Sequence, residues 1–133
     1  MLTEIQGNIF GFRGDIICHQ CNLSSKGSSG LAKSIFDKFP AANTYKNRIA
    51  TDFKLFGTNS YHKTADFWIA NMYAQIYPGK PQYYERAGAV SDCVENRLLA
   101  FGNCLVELGH FCARNSLTKV AFPAYIGCNL GGG

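Results

Sequence analysis

The sequence predicts an α/β sandwich built on a mixed, largely parallel sheet. Three observations carry that expectation. Segments of strand character alternate with segments of helical periodicity along the whole chain. The run Ile16-Ile17-Cys18 is apolar without alternation, as a strand covered on both faces requires. Two glycine-rich turns, "NLSSKGSSG" and "IGCNLGGG", each follow such a strand.

The elements follow in order. "LTEIQGNIF" reads as a first strand closed by Gly7-Asn8, and "GDIICHQC" as a second. The polar stretch from Asn22 to Gly30 is a loop. "GLAKSIFDKFP" sets Leu31, Ala32, Ile35, Phe36 and Phe39 at helical spacing, with Lys33, Ser34, Asp37 and Lys38 on the other side. Ser28 or Ser29 suits its N-cap, and Pro40 marks its end or a kink. "AANTYKNRIATDF" is expected to form a short helix and "KLFGTN" a short strand. "DFWIANMYAQ" is a strong strand by its aromatic and β-branched residues. "YPGKP" is a loop. The longest helical signal follows, with Val90, Cys93, Val94, Leu98, Phe101, Cys104, Leu105, Leu108, Phe111 and Cys112 close to one face. Arg97 is its odd member, expected to snorkel at the edge. Cys93, Cys104 and Cys112 read as core residues. "TKVAFPAYIGCNLGGG" is a strand running into a glycine-rich turn. No repeat or linker interrupts this, so residues 1–133 are expected to form one domain.

Composition narrows the function classes. The chain has 133 residues, 47% hydrophobic and 17% charged, which describes a packed globular protein. A formal charge of +4 suits an anionic small ligand at least as well as nucleic acid. No lysine/arginine stripe is present, so nucleic acid ranks low among partners. No apolar stretch is long enough to cross a bilayer, and the N-terminus lacks the pattern of a signal peptide. Six cysteines without an export signal imply reduced thiols and a cytoplasmic or nucleocytoplasmic protein. A monomer without membrane attachment is expected.

Cys18 and Cys21 stand in C-x-x-C spacing. A structural zinc site needs four ligands, and only one such pair exists. A redox pair belongs at a helix N-terminus, whereas this one lies at a strand end. Residues three apart on a strand point to opposite faces, so packing is the simpler reading and no metal is expected. His19 and Asn22 differ, because they sit at the carboxyl end of a strand beside a glycine-rich loop. Open α/β sheets bind ligands there. His62 and His110 read as surface or packing residues.

Glycine-rich turns let successive N–H groups form a concave anion site, reinforced by a following helix N-terminus. Two such turns at one sheet edge suit a diphosphate. "NLSSKGSSG" is not G-x-x-x-x-G-K-[ST], and "GNIFGF" is not G-x-G-x-x-G, so the P-loop and dinucleotide fingerprints are missing. Two ordinary glycine turns remain the competing reading.

The pieces "GNIF", "DIICHQCN", "SSGLAKSIFDKFP", "FWIANMYAQ" and "FPAYIGCNLGGG" together resemble a macrodomain, the ADP-ribose-binding module, in the right order over nearly the whole chain. The branch most similar is the ADP-ribose-1″-phosphate phosphatase-like group, whose second strand ends H-x-C-N, as His19, Cys21 and Asn22 do. The resemblance implies a three-layer α/β/α sandwich, lacking here the family's C-terminal helix and strand. It implies ADP-ribose or an ADP-ribosylated molecule as partner and no cofactor. Asn8 stands where an aspartate usually meets the adenine, with Ile9 beside it. Asn22 would contact the distal ribose, and Lys26, Gly27, Ser28, Ser29 and Gly30 would wrap the ribose and a phosphate. Gly127, Cys128, Asn129, Leu130 and Gly131 would supply backbone donors to the diphosphate, with Cys21, Pro123 and Ile126 bordering the site.

The departures matter too. Relatives with a lysine nucleophile carry it where Ala74 and Gln75 stand, and an aspartate where Gly131 stands. Ser28 and Ser29 replace glycines. Two functions follow from the resemblance. One is hydrolysis at the distal ribose, removing phosphate from ADP-ribose 1″-phosphate or cleaving an ADP-ribosyl adduct, with His19 as general acid/base and Asn22 fixing the ribose or the attacking water. The other is a non-catalytic reader of free or linked ADP-ribose.

Overall fold

The computed structural model describes residues 9–12, 14–81 and 90–123. Among the described residues there are four strands: β1 (Ile16–Cys21), β2 (Asn59–Lys63), β3 (Trp68–Tyr73) and β4 (Val120–Ala121). Two helices accompany them, α1 (Gly30–Lys38) and α2 (Val94–Arg114). The strand order is β2-β3-β1-β4. β1 runs parallel to both β3 and β4, and β2 is antiparallel to β3, so the sheet is mixed, as expected.

β1 is central and buried along nearly its whole length, so its alternate side chains feed two separate cores. Ile17 and Cys21 join Ile35 and Phe36 of α1. Ile16 and Cys18 join Cys104, Leu108 and Cys112 of α2. One helix therefore covers each face. Each fully buried Ile or Leu contributes ~1.5–3 kcal/mol. The chain leaves β1 through α1 toward β2 and β3 on one side, and returns from β3 through α2 to β4 on the other. The strand order thus reverses at β1, which makes its carboxyl end a topological switch point.

Several expectations change. Ile9–Gly11 forms a single 3-10 turn, and the rest of the expected first strand lies outside the described residues. The expected helix over 41–53 is absent. Only 3-10 turns at Pro40–Ala42 and Phe53–Leu55 flank an irregular segment. Asn43 explains part of this, because its side chain accepts from Tyr45 N at 3.0 Å, offering the backbone an alternative to helix. The expected strand at 54–59 yields to a turn in which Gly57 adopts φ +86°, and β2 starts later, at Asn59. Leu98 and Leu105 were expected inward but are 56% and 40% exposed, because the sheet-facing side of α2 is set by Arg97, Ala100, Cys104, Leu108 and Cys112. Cys93 is only half-buried, as the residue before α2. Among the described residues no helix is long and apolar enough to cross a membrane.

Arg97 is the largest correction. It does not snorkel; it is fully buried and paired with Asp92 at 2.6 Å. The Asp92 carboxylate also accepts from Ile76 N and Tyr77 N, both at 3.0 Å. Arg97 donates to the carbonyls of Tyr77, Gly79 and Lys80 at 2.8–3.3 Å. Two buried charges are tolerable only because nearly every polar atom finds a partner. The pair fastens the chain leaving β3 to the start of α2. Replacing Arg97 by Met strands the Asp92 charge. Unfolding in urea is expected to show a loss of about 3–5 kcal/mol; a loss under about 1 kcal/mol would show that the pair is not the fastening.

Candidate functional site

The site begins where β1 ends. Asn22 is the first residue past the ladder, and its Oδ1 accepts from Ser24 N at 3.1 Å and Ser25 N at 2.8 Å. That side-chain turn redirects the backbone away from the sheet. Asn22 N donates to Tyr45 Oη at 2.8 Å. Arg48 then grips the loop, donating to the carbonyl of Asn22 at 2.6 Å and of Ser25 at 2.8 Å. Its guanidinium lies over the Tyr45 ring, 4.2 Å from the centroid. Leu23 N donates to Ile76 O at 3.0 Å, which ties this loop to the one after β3.

The loop leads straight into α1. Ser29 occupies the N-cap position with extended backbone, yet its side chain makes no capping bond. Gly30 follows at φ +56°, a conformation glycine takes without penalty. The first amides of α1 therefore have no side-chain acceptor and carry the positive end of the helix dipole. Lys26, Gly27, Ser29 and Gly30 are exposed around them. An anion placed there meets unspent N–H groups.

Beside this loop opens a cavity of about 340 Å³, bordered by Leu23, Thr44, Arg48, Ser60 and Tyr73. Tyr73 Oη lies 2.7 Å from Thr44 Oγ1 and 2.9 Å from Ser60 Oγ. Its wall is mostly apolar, with the three linked hydroxyls of Thr44, Ser60 and Tyr73 as a polar patch.

His19 faces elsewhere. Its side chain points to the α1 side and is 1% exposed. Its Nε2 is 2.6 Å from Asn71 Oδ1. Asn71 Nδ2 donates to Ala42 O at 2.8 Å, which fixes the amide orientation and assigns the His19 proton to Nε2. Phe36 meets the ring edge-on at 5.5 Å. Burial lowers the His19 pKa from 6.5 to about 4, against the hydrogen bond to Asn71, which raises it. His19 is therefore a neutral structural residue that joins β1 to β3, and the expected general acid/base role does not fit this placement. Cys21 is also buried, with its thiol pushed up to about 12 by desolvation. Cys18 lies in the opposite core, so the two thiols share no ligand. No cluster of three metal-ligating side chains occurs among the described residues.

Asn22 and the segment Lys26–Gly30 thus share one loop at the carboxyl end of β1. Pro123 follows β4, a parallel neighbour, at the same end of the sheet. Ile9 is half-buried against the α1-side core, ahead of β1. Asn8, Ile126, Gly127, Cys128, Asn129, Leu130 and Gly131 lie outside the described residues. Sequence reasoning missed Tyr45, Arg48 and Asn71. The helix expected over 41–53 concealed the first two, and only the asparagines at 43 and 47 signalled against it.

No protein-family model and no curated protein matches the chain. Solved structures do. One is a protein of unknown function from Bacteroides thetaiotaomicron, 21% identical, with a TM-score of 0.65 over 97% of this chain and 80% of that one. Another protein from Bacteroides thetaiotaomicron, solved by X-ray crystallography, is 20% identical with a TM-score of 0.61, over 98% of this chain and 78% of that one. These likenesses establish the α/β fold.

The His19 environment makes a pH prediction. The unfolded chain takes up this proton near pH 6.5, the native state only near pH 4. Between those values the unfolded state holds more protons, so stability is lost as pH falls. His62, also shifted downward by burial, acts in the same direction. Urea midpoints are expected to show stability about 2 kcal/mol lower at pH 5 than at pH 7.5, with His19→Gln removing most of that slope. An unchanged slope in that variant would contradict the buried neutral assignment.

Proposed function

We propose that this domain is a macrodomain that binds ADP-ribose at the carboxyl end of β1 and acts as a reader. One observation carries the reading. The loop from Asn22 to Ser29 is held by Arg48, Tyr45 and its own Asn22 turn, and it delivers the uncapped start of α1 to the switch point of the sheet. A diphosphate fits that chemistry, because backbone amides meet it without a specialised motif. The hydroxyl cluster of Thr44, Ser60 and Tyr73 in the adjoining cavity suits a ribose. Rigidity supports the reading further, since a loop already ordered loses little entropy on binding. The Asn22 Nδ2 donor, unspent within the loop, is left for a ribose hydroxyl.

Reading is preferred to hydrolysis because of His19. A general base must reach the proton it abstracts, and it works best with a pKa near the operating pH. His19 is enclosed, bonded to Asn71 and shifted well below neutrality.

Titration calorimetry with ADP-ribose tests the reading. One-to-one binding is expected, weakened at least about tenfold by Asn22→Ala and by Arg48→Met, a change of ~1.4 kcal/mol or more. No phosphate is expected from ADP-ribose 1″-phosphate. Absence of binding at millimolar ligand would sink the proposal. Phosphate release that His19→Gln abolishes would restore the hydrolase reading.

A further inference from the structure

Strand β2 sets a histidine behind a serine. Ser60 and His62 are two residues apart on β2, so both side chains leave the same face of the strand. Asn71 and Tyr73 of β3 share that face, since Ser60 pairs with Asn71 in the ladder. His62 Nε2 lies 2.9 Å from Ser60 Oγ. Ser60 borders the cavity beside the loop after β1, and His62 does not. The hydroxyl therefore stands between the cavity and the imidazole, the order that a nucleophile and its base require.

The contacts extend inward. Ser60 Oγ lies 2.9 Å from Tyr73 Oη, which lies 2.7 Å from Thr44 Oγ1. Tyr73 is 4% exposed, so its hydroxyl is held in place. Each of these hydroxyls has one proton to donate. With a neutral His62 accepting at Nε2, the chain runs one way: Thr44 donates to Tyr73, Tyr73 to Ser60, and Ser60 to His62. The Ser60 proton is thus aimed at a base, and two further hydroxyls border the cavity beside it. Burial holds the His62 pKa below its ordinary 6.5, so the ring is a free base at neutral pH. Of its neighbours on that face, the turn Pro40–Ala42 carries no titratable side chain, β3 contributes Tyr73, and β1 contributes the neutral His19.

We propose that Ser60 is the nucleophile, and His62 the general base, of a dyad that hydrolyses small carboxylic esters. Ser60 Oγ attacks the ester carbonyl carbon, and its proton passes to His62 Nε2. The Tyr73 and Thr44 hydroxyls turn toward the oxygen that gains the negative charge. The ester carbon–oxygen bond breaks, and His62 returns the proton to the departing alcohol. Water then attacks the acyl group on Ser60 and gives its proton to His62. The carboxylic acid leaves, and Ser60 Oγ takes the proton back. Water is the one co-reactant.

The cavity sets the substrate class. Its volume of about 340 Å³ lies near the lower end for small-molecule sites, which run from roughly 300 to 1,000 Å³. Leu23, Ala50 and Leu55 give it an apolar lining, against which an acyl group of a few carbons packs. A long-chain lipid ester exceeds it. Among the described residues no carboxylate bonds to the His62 ring, so the pair is a dyad without a third member, and slow turnover is expected. The inference rests on the cavity and needs no nucleotide.

Hydrolysis of p-nitrophenyl acetate and p-nitrophenyl butyrate by the full chain tests this. Saturable release of p-nitrophenol is expected, falling to the buffer rate in Ser60→Ala. His62→Gln is expected to slow acylation at least about hundredfold. The wild-type kcat/KM is expected to rise with pH and level off above a pKa lower than 6.5. Tyr73→Phe should lower kcat with KM little changed. A fluorophosphonate probe is expected to label Ser60, located by peptide mass. That label is read on the wild-type chain, so it does not depend on a variant folding. Equal turnover by the wild type and a folded Ser60→Ala chain overturns the proposal, as does a label on any residue other than Ser60. Neither readout involves ADP-ribose, so a failure to bind that ligand leaves both unaffected.

Discussion

One constraint governs this domain: β1 is enclosed on both faces, paired along its whole length with β3 and at its start with β4. β3 and β4 hydrogen-bond its edges, and α1 and α2 cover its faces. Water reaches almost none of it, so any polar side chain on β1 must be satisfied by protein. His19 shows the consequence. It is neutral, bonded to Asn71, and through Asn71 to the backbone of Ala42. What looks like a reactive group in isolation becomes a cross-link between a central strand and a neighbouring loop. The polar chemistry of the domain is displaced to the end of the strand, where the chain emerges.

Two arginines then organise what emerges. Arg48 serves the loop after β1, and Arg97 serves the loop after β3. Both segments turn away from the sheet without regular structure, so their carbonyls lack ladder or helix partners. A guanidinium supplies several donors in a fixed plane and can satisfy more than one carbonyl at once. The two are solved differently. Arg97 is balanced by the buried Asp92, while Arg48 is stacked on Tyr45 and remains half-buried. Leu23 links the two loops through Ile76, so the carboxyl end of the sheet behaves as one shaped rim. Such a rim offers backbone amides at fixed positions, which is what recognition of a pyrophosphate requires.

The two helices divide the remaining work. α1 begins at that rim, with an uncapped first turn. α2 lies on the far face and directs a second apolar surface outward. The uncapped start of α1 and the outward apolar side of α2 therefore belong to opposite faces of the sheet.

Local periodicity determined much of this protein. The unbroken apolar run at Ile16–Cys18 set a doubly buried strand. The spacing of Leu31 to Phe39 set α1, and the composition around Trp68 set β3. These features depend on near neighbours, which a linear reading sees directly. The loop at Asn22–Gly30 was legible for the same reason, through its glycines and its place after a strand. Tertiary structure alone decided which polar residues are spent. His19 meets Asn71 across 52 positions, and Arg48 meets Asn22 across 26. It also decided that Arg97 turns inward while Leu98 and Leu105 turn outward. A helix with apolar residues around most of its circumference has no unique inner face in its own sequence. The sheet chose that face, because a buried charge is tolerable only where distant carbonyls and Asp92 converge to meet it.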